Sequence, residues 1–195
     1  KSYFKARYRE TFVATADIYV LFMERNVFLL RPGGQLGMIV SDKWLRSNYG
    51  ERLREFLRRE TKPVSMLDFG HTPIFPDADT FPMVPILRRR SESLDGEPPD
   101  GETTTVAIVP REEHRYGMSL TSYISESGQA LPTRLLRRDR WSLEDPRIQS
   151  IMEKIRQVSM TLKSYSGDST TRGITTGCNE AFFIDSETKE RLINE

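Results

Sequence analysis

The sequence predicts an α/β domain carrying a helical extension. Three observations lead there. Helical and strand-like apolar patterns alternate through residues 14–90. The strand-like runs are short and nearly all apolar, as strands covered on both faces are. Glycine and proline punctuate the joints between the runs.

Taken in order, residues 14–30 (ATADIYVLFMERNVFLL) place Ile18, Leu21, Phe22 and Phe28 at helical spacing, with Val20 and Leu29 widening the stripe. The following RPGG stops that helix, because Pro32 cannot continue it and Gly33 or Gly34 supplies a left-handed turn. QLGMIVS predicts a buried strand near 35–41. A second helix over about 50–59 turns Leu53, Phe56 and Leu57 inward. VSMLDFG predicts a second buried strand near 64–69, and FPMVPILRR a third near 82–89. Pro82 and Pro85 suggest a sheet edge or an irregular start for the third. Residues 91–104 combine Pro, Gly and acid, which predicts a flexible loop. TVAIVP after it reads as a strand returning antiparallel to 82–89 in a long hairpin. Residues 111–140 carry only a weak pattern. A helix over about 146–158 is then well marked, with Asp145 as N-cap, Pro146 at its first position, and Ile148, Ile151, Met152 and Ile155 on one face. There is no internal repeat.

Charge balances almost completely, with 29 Lys+Arg against 28 Asp+Glu, so net charge does not mark a nucleic-acid binder. The clusters Arg88-Arg89-Arg90 and Arg137-Arg138 with Arg140, and the acidic stretch 92–102, read as solvated surface. The single cysteine, Cys178, excludes an intrachain disulfide framework, and the two histidines, His71 and His114, lie too far apart for a metal-site spacing. No apolar run approaches the roughly 18–20 residues of a membrane span, and there is no signal peptide. These features predict a cytoplasmic protein with no metal and no membrane partner. The chain opens at Lys1 and stops inside a helix-like run, SETKERLINE, so a piece of a longer protein is expected.

Candidate chemistry lies beyond the strands. Gly33, Gly34 and Gly37 precede a strand, whereas a phosphate loop follows a strand and opens a helix, so they read as a helix stop. In open α/β sheets ligands bind beyond the carboxyl ends of strands. SDKWLRSNYG, residues 41–50, follows the first strand, so Lys43, Arg46 and Asn48 are candidates for a substrate cleft, with a plain polar loop as the alternative. HTPIFPDADTF, residues 71–81, follows the second strand on the same side and holds Phe75 and Phe81. Loop aromatics are usually packed, but a solvent-facing one at such an edge can stack on a base. His71 reads as a loop hydrogen-bonder and Cys178 as an inert thiol.

TADIYVLFMERNVFLLRPGGQLGMIVSDKWLRSNYGERLREFL resembles the stretch just after the Asn-Pro-Pro-Tyr motif of N6-adenine DNA methyltransferases, above all those of type IIG restriction–modification enzymes. MLDFGHTPIFPDADTFPMVPILRR resembles their next two strands and base-facing loop. WSLEDPRIQSIMEKI and RGITTGCNEAFFIDSETKERLI resemble the connector into their target-recognition domain. Three matches in order are more specific than any one. The resemblance implies the C-terminal half of a Rossmann-like S-adenosylmethionine-dependent methyltransferase sheet, with the first two strands parallel and the last antiparallel. It divides the chain into catalytic residues 1–110, a connector 111–163 and the start of a recognition domain at 164–195. It implies methyl transfer from S-adenosylmethionine to adenine N6 in double-stranded DNA, with the base flipped from the duplex. Carried over by position, Phe75 matches the second base-stacking residue with Phe81 as alternate, Asp17 and Tyr19 match the helix backing the cofactor pocket, and Lys43 matches the cleft segment. The Asn-Pro-Pro-Tyr motif and glycine-rich cofactor loop are absent from these residues and would precede Lys1. Two alternatives are a methyltransferase of protein or RNA, which shares the motif, and a non-catalytic DNA-binding or specificity subunit. Neither the DNA target nor the oligomeric state is encoded legibly. Without the cofactor loop, calorimetric titration of this chain with S-adenosylmethionine should give no measurable heat of binding, and micromolar affinity would overturn that division of parts.

Overall fold

The computed structural model describes residues 2–70, 74–75, 80–109, 119–167 and 185–194. The chain forms two compact units, 1–150 and 151–195. The first unit is built on a six-stranded sheet. Its elements are α1 (Ser2–Arg7), α2 (Tyr19–Leu29), β1 (Gln35–Gly37), β2 (Val40–Ser41), α3 (Glu51–Glu60), β3 (Thr61–Asp68), β4 (Pro82–Arg89), β5 (Thr103–Ile108), α4 (Leu120–Ser127) and β6 (Gln129–Pro132), followed by the start of α5 (Pro146–Val158). The second unit holds the rest of α5, then α6 (Leu162–Ser166) and α7 (Ser186–Asn194).

Strand order is β1-β4-β3-β5-β6, with β2 continuing beside β4. β4 is antiparallel to β1, β2 and β3, so β1, β2 and β3 all run the same way, as the resemblance implied. The α/β expectation is met, but the sheet is mostly antiparallel, and only β3 and β5 pair in parallel. Alternate side chains feed two cores. Met66, Met83, Leu87 and Val106 pack on one face with Val20, Met23 and Val27 of α2 and Leu53, Phe56 and Leu57 of α3. Leu67, Phe69, Ala107 and Val109 pack on the other beneath Tyr123 of α4, whose hydroxyl donates to the Ile108 carbonyl at 2.8 Å.

Several expectations change. β4 is not an edge strand but is paired on both sides; Pro82 is its first residue, and Pro85 sits where one ladder lapses. Residues 38–39, the break between β1 and β2, lie opposite Val84 and Pro85, so the proline's missing N–H falls at a gap in the ladder. On β3 the register shifts between Pro63 and Ser65, another irregularity at a proline. The 35–41 strand is not buried on both faces. It lies at the edge of the sheet among the described residues, with Gln35, Gly37 and Ile39 exposed and only Val40 fully buried. β5 does not form a hairpin with β4, because both edges of β4 are occupied, and it pairs with β3 instead. The inward face of α2 is Val20, Met23 and Val27 with Leu21, while Ile18, Phe22, Phe28 and Leu29 of the expected stripe are exposed. Apolar residues surround this helix, so periodicity could not choose its face. Within 111–140, α4 and β6 appear where the pattern was weak. Asp145 does cap α5, accepting from the Arg147 N–H at 2.7 Å. The helix stop is also as read, with Gly33 at φ +76°.

The Arg88-Arg89-Arg90 run is not simply solvated. Arg88 is exposed, but Arg89 donates to the Val27 carbonyl at 2.7 Å, pairs with Glu60 and stacks on Phe28. Arg90 grips Glu102 through two hydrogen bonds of 2.9 and 2.7 Å and donates to the Thr61 carbonyl. Thr133 adds a bond to the same carboxylate at 3.0 Å, so the ends of β3, β4, β5 and β6 meet here. Burial pushes the Glu102 carboxyl up, but the Arg90 and Thr133 hydrogen bonds, with the charges of Arg90 and Lys62, outweigh it and hold the group below its ordinary 4.5. A depressed carboxyl stabilises the fold above the unfolded value, and that contribution is lost as pH falls through the folded one. Urea midpoints should therefore drop on acidification below about 4.5. Glu102→Gln should cost roughly 1.5–3 kcal/mol at pH 7 and flatten that acid slope, since charge-assisted hydrogen bonds are lost. An unchanged slope in the variant would place the acid sensitivity elsewhere.

Candidate functional site

The register places the carboxyl ends of β2 and β3 beside the start of β4: Ser41 is opposite Pro82, and Val40 and Asp68 are both opposite Met83. The chain beyond each strand end therefore emerges on one edge of the sheet. After β2, the Ser41 hydroxyl caps a 3-10 turn over Asp42–Leu45, and a second such turn covers Asn48–Gly50. The Asp42 N–H donates to the Phe81 carbonyl at 2.8 Å, which ties this segment to the entry of β4. Asp42 is buried and its carboxylate pairs with the exposed Arg46. Trp44 and Leu45 point into the core, while Lys43, Arg46 and Asn48 face solvent.

After β3, Asp68 Oδ1 accepts from the Gly70 N–H at 2.8 Å, and Gly70 sits at φ +52°, a left-handed step that suits glycine. His71 lies outside the described residues, as do His114 and Cys178. Ile74 packs on the smaller core and Phe75 is 43% exposed. Phe81 is half-buried.

Tyr19 opens α2, half-buried, and its hydroxyl lies 3.0 Å from that of Tyr49. Burial, then the hydrogen bond to Tyr49, pushes the Tyr19 phenol far above its ordinary range, and it stays protonated. Asp17, two residues before, is exposed, and its carbonyl accepts from the Val20 N–H at 3.2 Å. The structure thus joins Tyr19 to the 41–50 segment through Tyr49, and that segment to Phe81 through Asp42. Among the described residues there is no group of three or more His, Cys, Asp or Glu side chains arranged to hold a metal. No helix among them is long and apolar enough to cross a membrane.

Four supporting residues escaped the sequence reading. Arg54 of α3 is 1% exposed and donates to four backbone carbonyls, two of them in the 44–47 stretch. Trp44 packs edge-on against Trp141, with ring centroids 5.2 Å apart. A Cβ on Gly50 would lie 2.1 Å from the Trp44 carbonyl oxygen, so the segment passes α3 too closely for any side chain. The available signals were slight: one of four arginines on α3, next to the inward Leu53, and a tryptophan in a basic run.

With this geometry in view, the comparisons are specific. Residues 1–75 match the family described as Eco57I restriction-modification methylase. That match covers the first 75 of the 195 residues. The matched segment includes α2, β1, β2, α3, β3 and Phe75. Over 193 residues the chain is 28% identical to the type II methyltransferase M.PaeR7I of Pseudomonas aeruginosa, covering 94% of this chain and 32% of that protein. It is 33% identical over 109 residues to the type II methyltransferase M.XhoI of Xanthomonas vasicola, covering 54% and 19%. The chain therefore spans about a third or less of these relatives. Among solved structures, the type IIG restriction endonuclease BpuSI shares its fold over 80% of this chain and 19% of its own, at 17% identity and a TM-score of 0.51.

Gly50 has ordinary helical torsions, so space alone forbids a side chain there. Gly50→Ala should cost roughly 1–3 kcal/mol by overpacking, seen as a lower melting temperature. An unchanged melting temperature would mean that the 44–47 backbone withdraws freely.

Proposed function

We propose that this chain is part of a site-specific DNA methyltransferase that moves a methyl group from S-adenosylmethionine to adenine N6 in a restriction–modification system. The observation that carries the reading is the family match over residues 1–75, within which Lys43, Arg46, Asn48 and Phe75 are all exposed. Exposed cations suit the phosphates of double-stranded DNA. An exposed loop aromatic suits a base displaced from its stack. The names of the relatives favour a methyltransferase over a non-catalytic specificity subunit.

The described residues do not fit a complete S-adenosylmethionine site. Their adjacent glycines, Gly33 and Gly34, close a turn leading into β1 rather than opening a helix, and Asp68 is engaged in capping Gly70. In this reading the chain holds the base and the DNA: Phe75 covers one face of a flipped adenine, with Phe81 as alternate, Lys43, Arg46 and Asn48 line the cleft, and Asp17 with Tyr19 backs the cofactor pocket. The rest of the protein supplies the donor site. Supporting this division, α2 exposes Ile18, Phe22 and Leu29 beyond its core face, and Ile39 is half exposed beside the outer edge of β1 and β2. Apolar surface next to an open strand edge calls for cover. The protein would act in the cytoplasm, where DNA is available.

The test is methylation by the full-length protein, with the product nucleoside identified by mass spectrometry. N6-methyladenine is expected, and a methylated cytosine or no product overturns the reading. At 43% exposure Phe75 is not core, so Phe75→Ala should leave the melting temperature nearly unchanged. Base–aromatic stacking is worth roughly 1–3 kcal/mol, so single-turnover methylation should fall about tenfold to a hundredfold. Normal activity per folded molecule would remove Phe75 from the base pocket.

A further inference from the structure

Arg54 presents a buried cation whose hydrogen-bond acceptors are all neutral. Its guanidinium, 1% exposed, donates to the carbonyls of Trp44 and of Ser47 (3.0 Å) on one side, and of Arg138 and Asp139 (both 2.8 Å) on the other. Desolvation pulls its pKa below the ordinary arginine value, with Glu51 and Asp139 opposing. Burying a cation among neutral groups costs free energy, so simple packing does not account for it. The two segments it joins are 84 and 85 residues apart from Arg54 on one side and 10 and 7 on the other. They are also stapled by the Trp141 N–H donating to the Leu45 carbonyl at 2.9 Å and by the Trp44–Trp141 contact. Both indole N–H groups in that contact are buried without a partner. A flat fork with five donors can satisfy carbonyls from two segments at once, whereas an ammonium cannot span them.

We infer that Arg54 is a positioning residue that sets the backbone of the exposed cleft segment, residues 41–50, against the strap of residues 136–145. Through that clamp the placement of Lys43, Arg46 and Asn48 depends on the strap that leads into α5. The role in catalysis rests on the methyltransferase reading, but the clamp itself does not. Arg54 touches neither base nor cofactor; it acts through residues 44–47.

The chain contains two tryptophans, Trp44 and Trp141, one on each side of the junction, so their coupled circular-dichroism band reports the clamp directly. In Arg54→Lys that band should be lost. Amide exchange at Arg46, Ser47 and Trp141 should accelerate about tenfold or more while β3 and β4 amides keep their protection, as local opening requires. In the full-length protein, kcat for DNA methylation should fall about tenfold to a hundredfold with KM for S-adenosylmethionine little changed, since small misplacements act on the reacting geometry. Should Arg54→Lys fail to fold, Trp141→Leu opens the junction from the strap side and is read by exchange at Arg46 and Ser47 and by the same kinetic split. An intact indole band, or exchange that rises equally in β3 and β4, overturns the clamp. A lost band with normal kcat overturns the positioning role. If the unmodified full-length protein methylates nothing, the methyltransferase reading fails, while the indole band and exchange still decide the clamp.

Discussion

β4 has to hydrogen-bond along both edges while carrying two prolines. A proline in a central strand removes a donor that a neighbour would use. This chain meets the constraint by splitting the neighbouring strand. β1 and β2 stop short of Val84 and Pro85, and residues 38–39 pass that point unpaired with β4. On the other edge β3 shifts register at its own proline. The sheet keeps its continuity because each irregularity falls where the ladder has nothing to lose.

The placement of the candidate site follows from that arrangement. With β4 antiparallel between two strands of common direction, the carboxyl ends of β2 and β3 flank the start of β4. The ends of both strands therefore lie side by side. Asp42 then reaches the Phe81 backbone, and Tyr19 reaches Tyr49. The opposite end of the sheet is closed by Arg89, Arg90, Glu60 and Glu102, a polar junction that holds the strand ends rather than a binding surface.

Much of this was legible in the residues. α3 showed its inward face through Leu53, Phe56 and Leu57, because the polar side of that helix is unambiguous. The strand over VSMLDFG was recognisable as buried on both faces, since Met66, Leu67 and Phe69 leave no polar side. Asp145 announced the start of α5 through chemistry local to one turn. α2 was harder: its apolar residues ring the helix, and the chosen stripe proved largely exposed. The β5 pairing was misjudged because a hairpin is the shortest connection, and no local signal shows that both edges of β4 are taken. The 41–50 segment was singled out by its position after a strand, but Arg54, Gly50 and Trp141 were not, since each packs against residues distant in sequence.

What the sequence determined by itself was therefore local: the helix and strand content of residues 14–70 and 82–89, the helix stop at Gly33, the cap at Asp145 and the stretch that matches the family. Side-chain periodicity, backbone torsion and capping chemistry are properties of a few neighbouring residues, so a single pass along the chain reads them. The tertiary structure alone decided which strands are central, which face of α2 is buried, and which arginines are structural. Those outcomes depend on competition between distant segments for the same hydrogen-bonding edge and the same buried volume. Arg54 shows the difference most plainly. Along the chain it is one charge among many on a helix, and only when residues 44–47 and 138–139 meet around it do its donors find four acceptors.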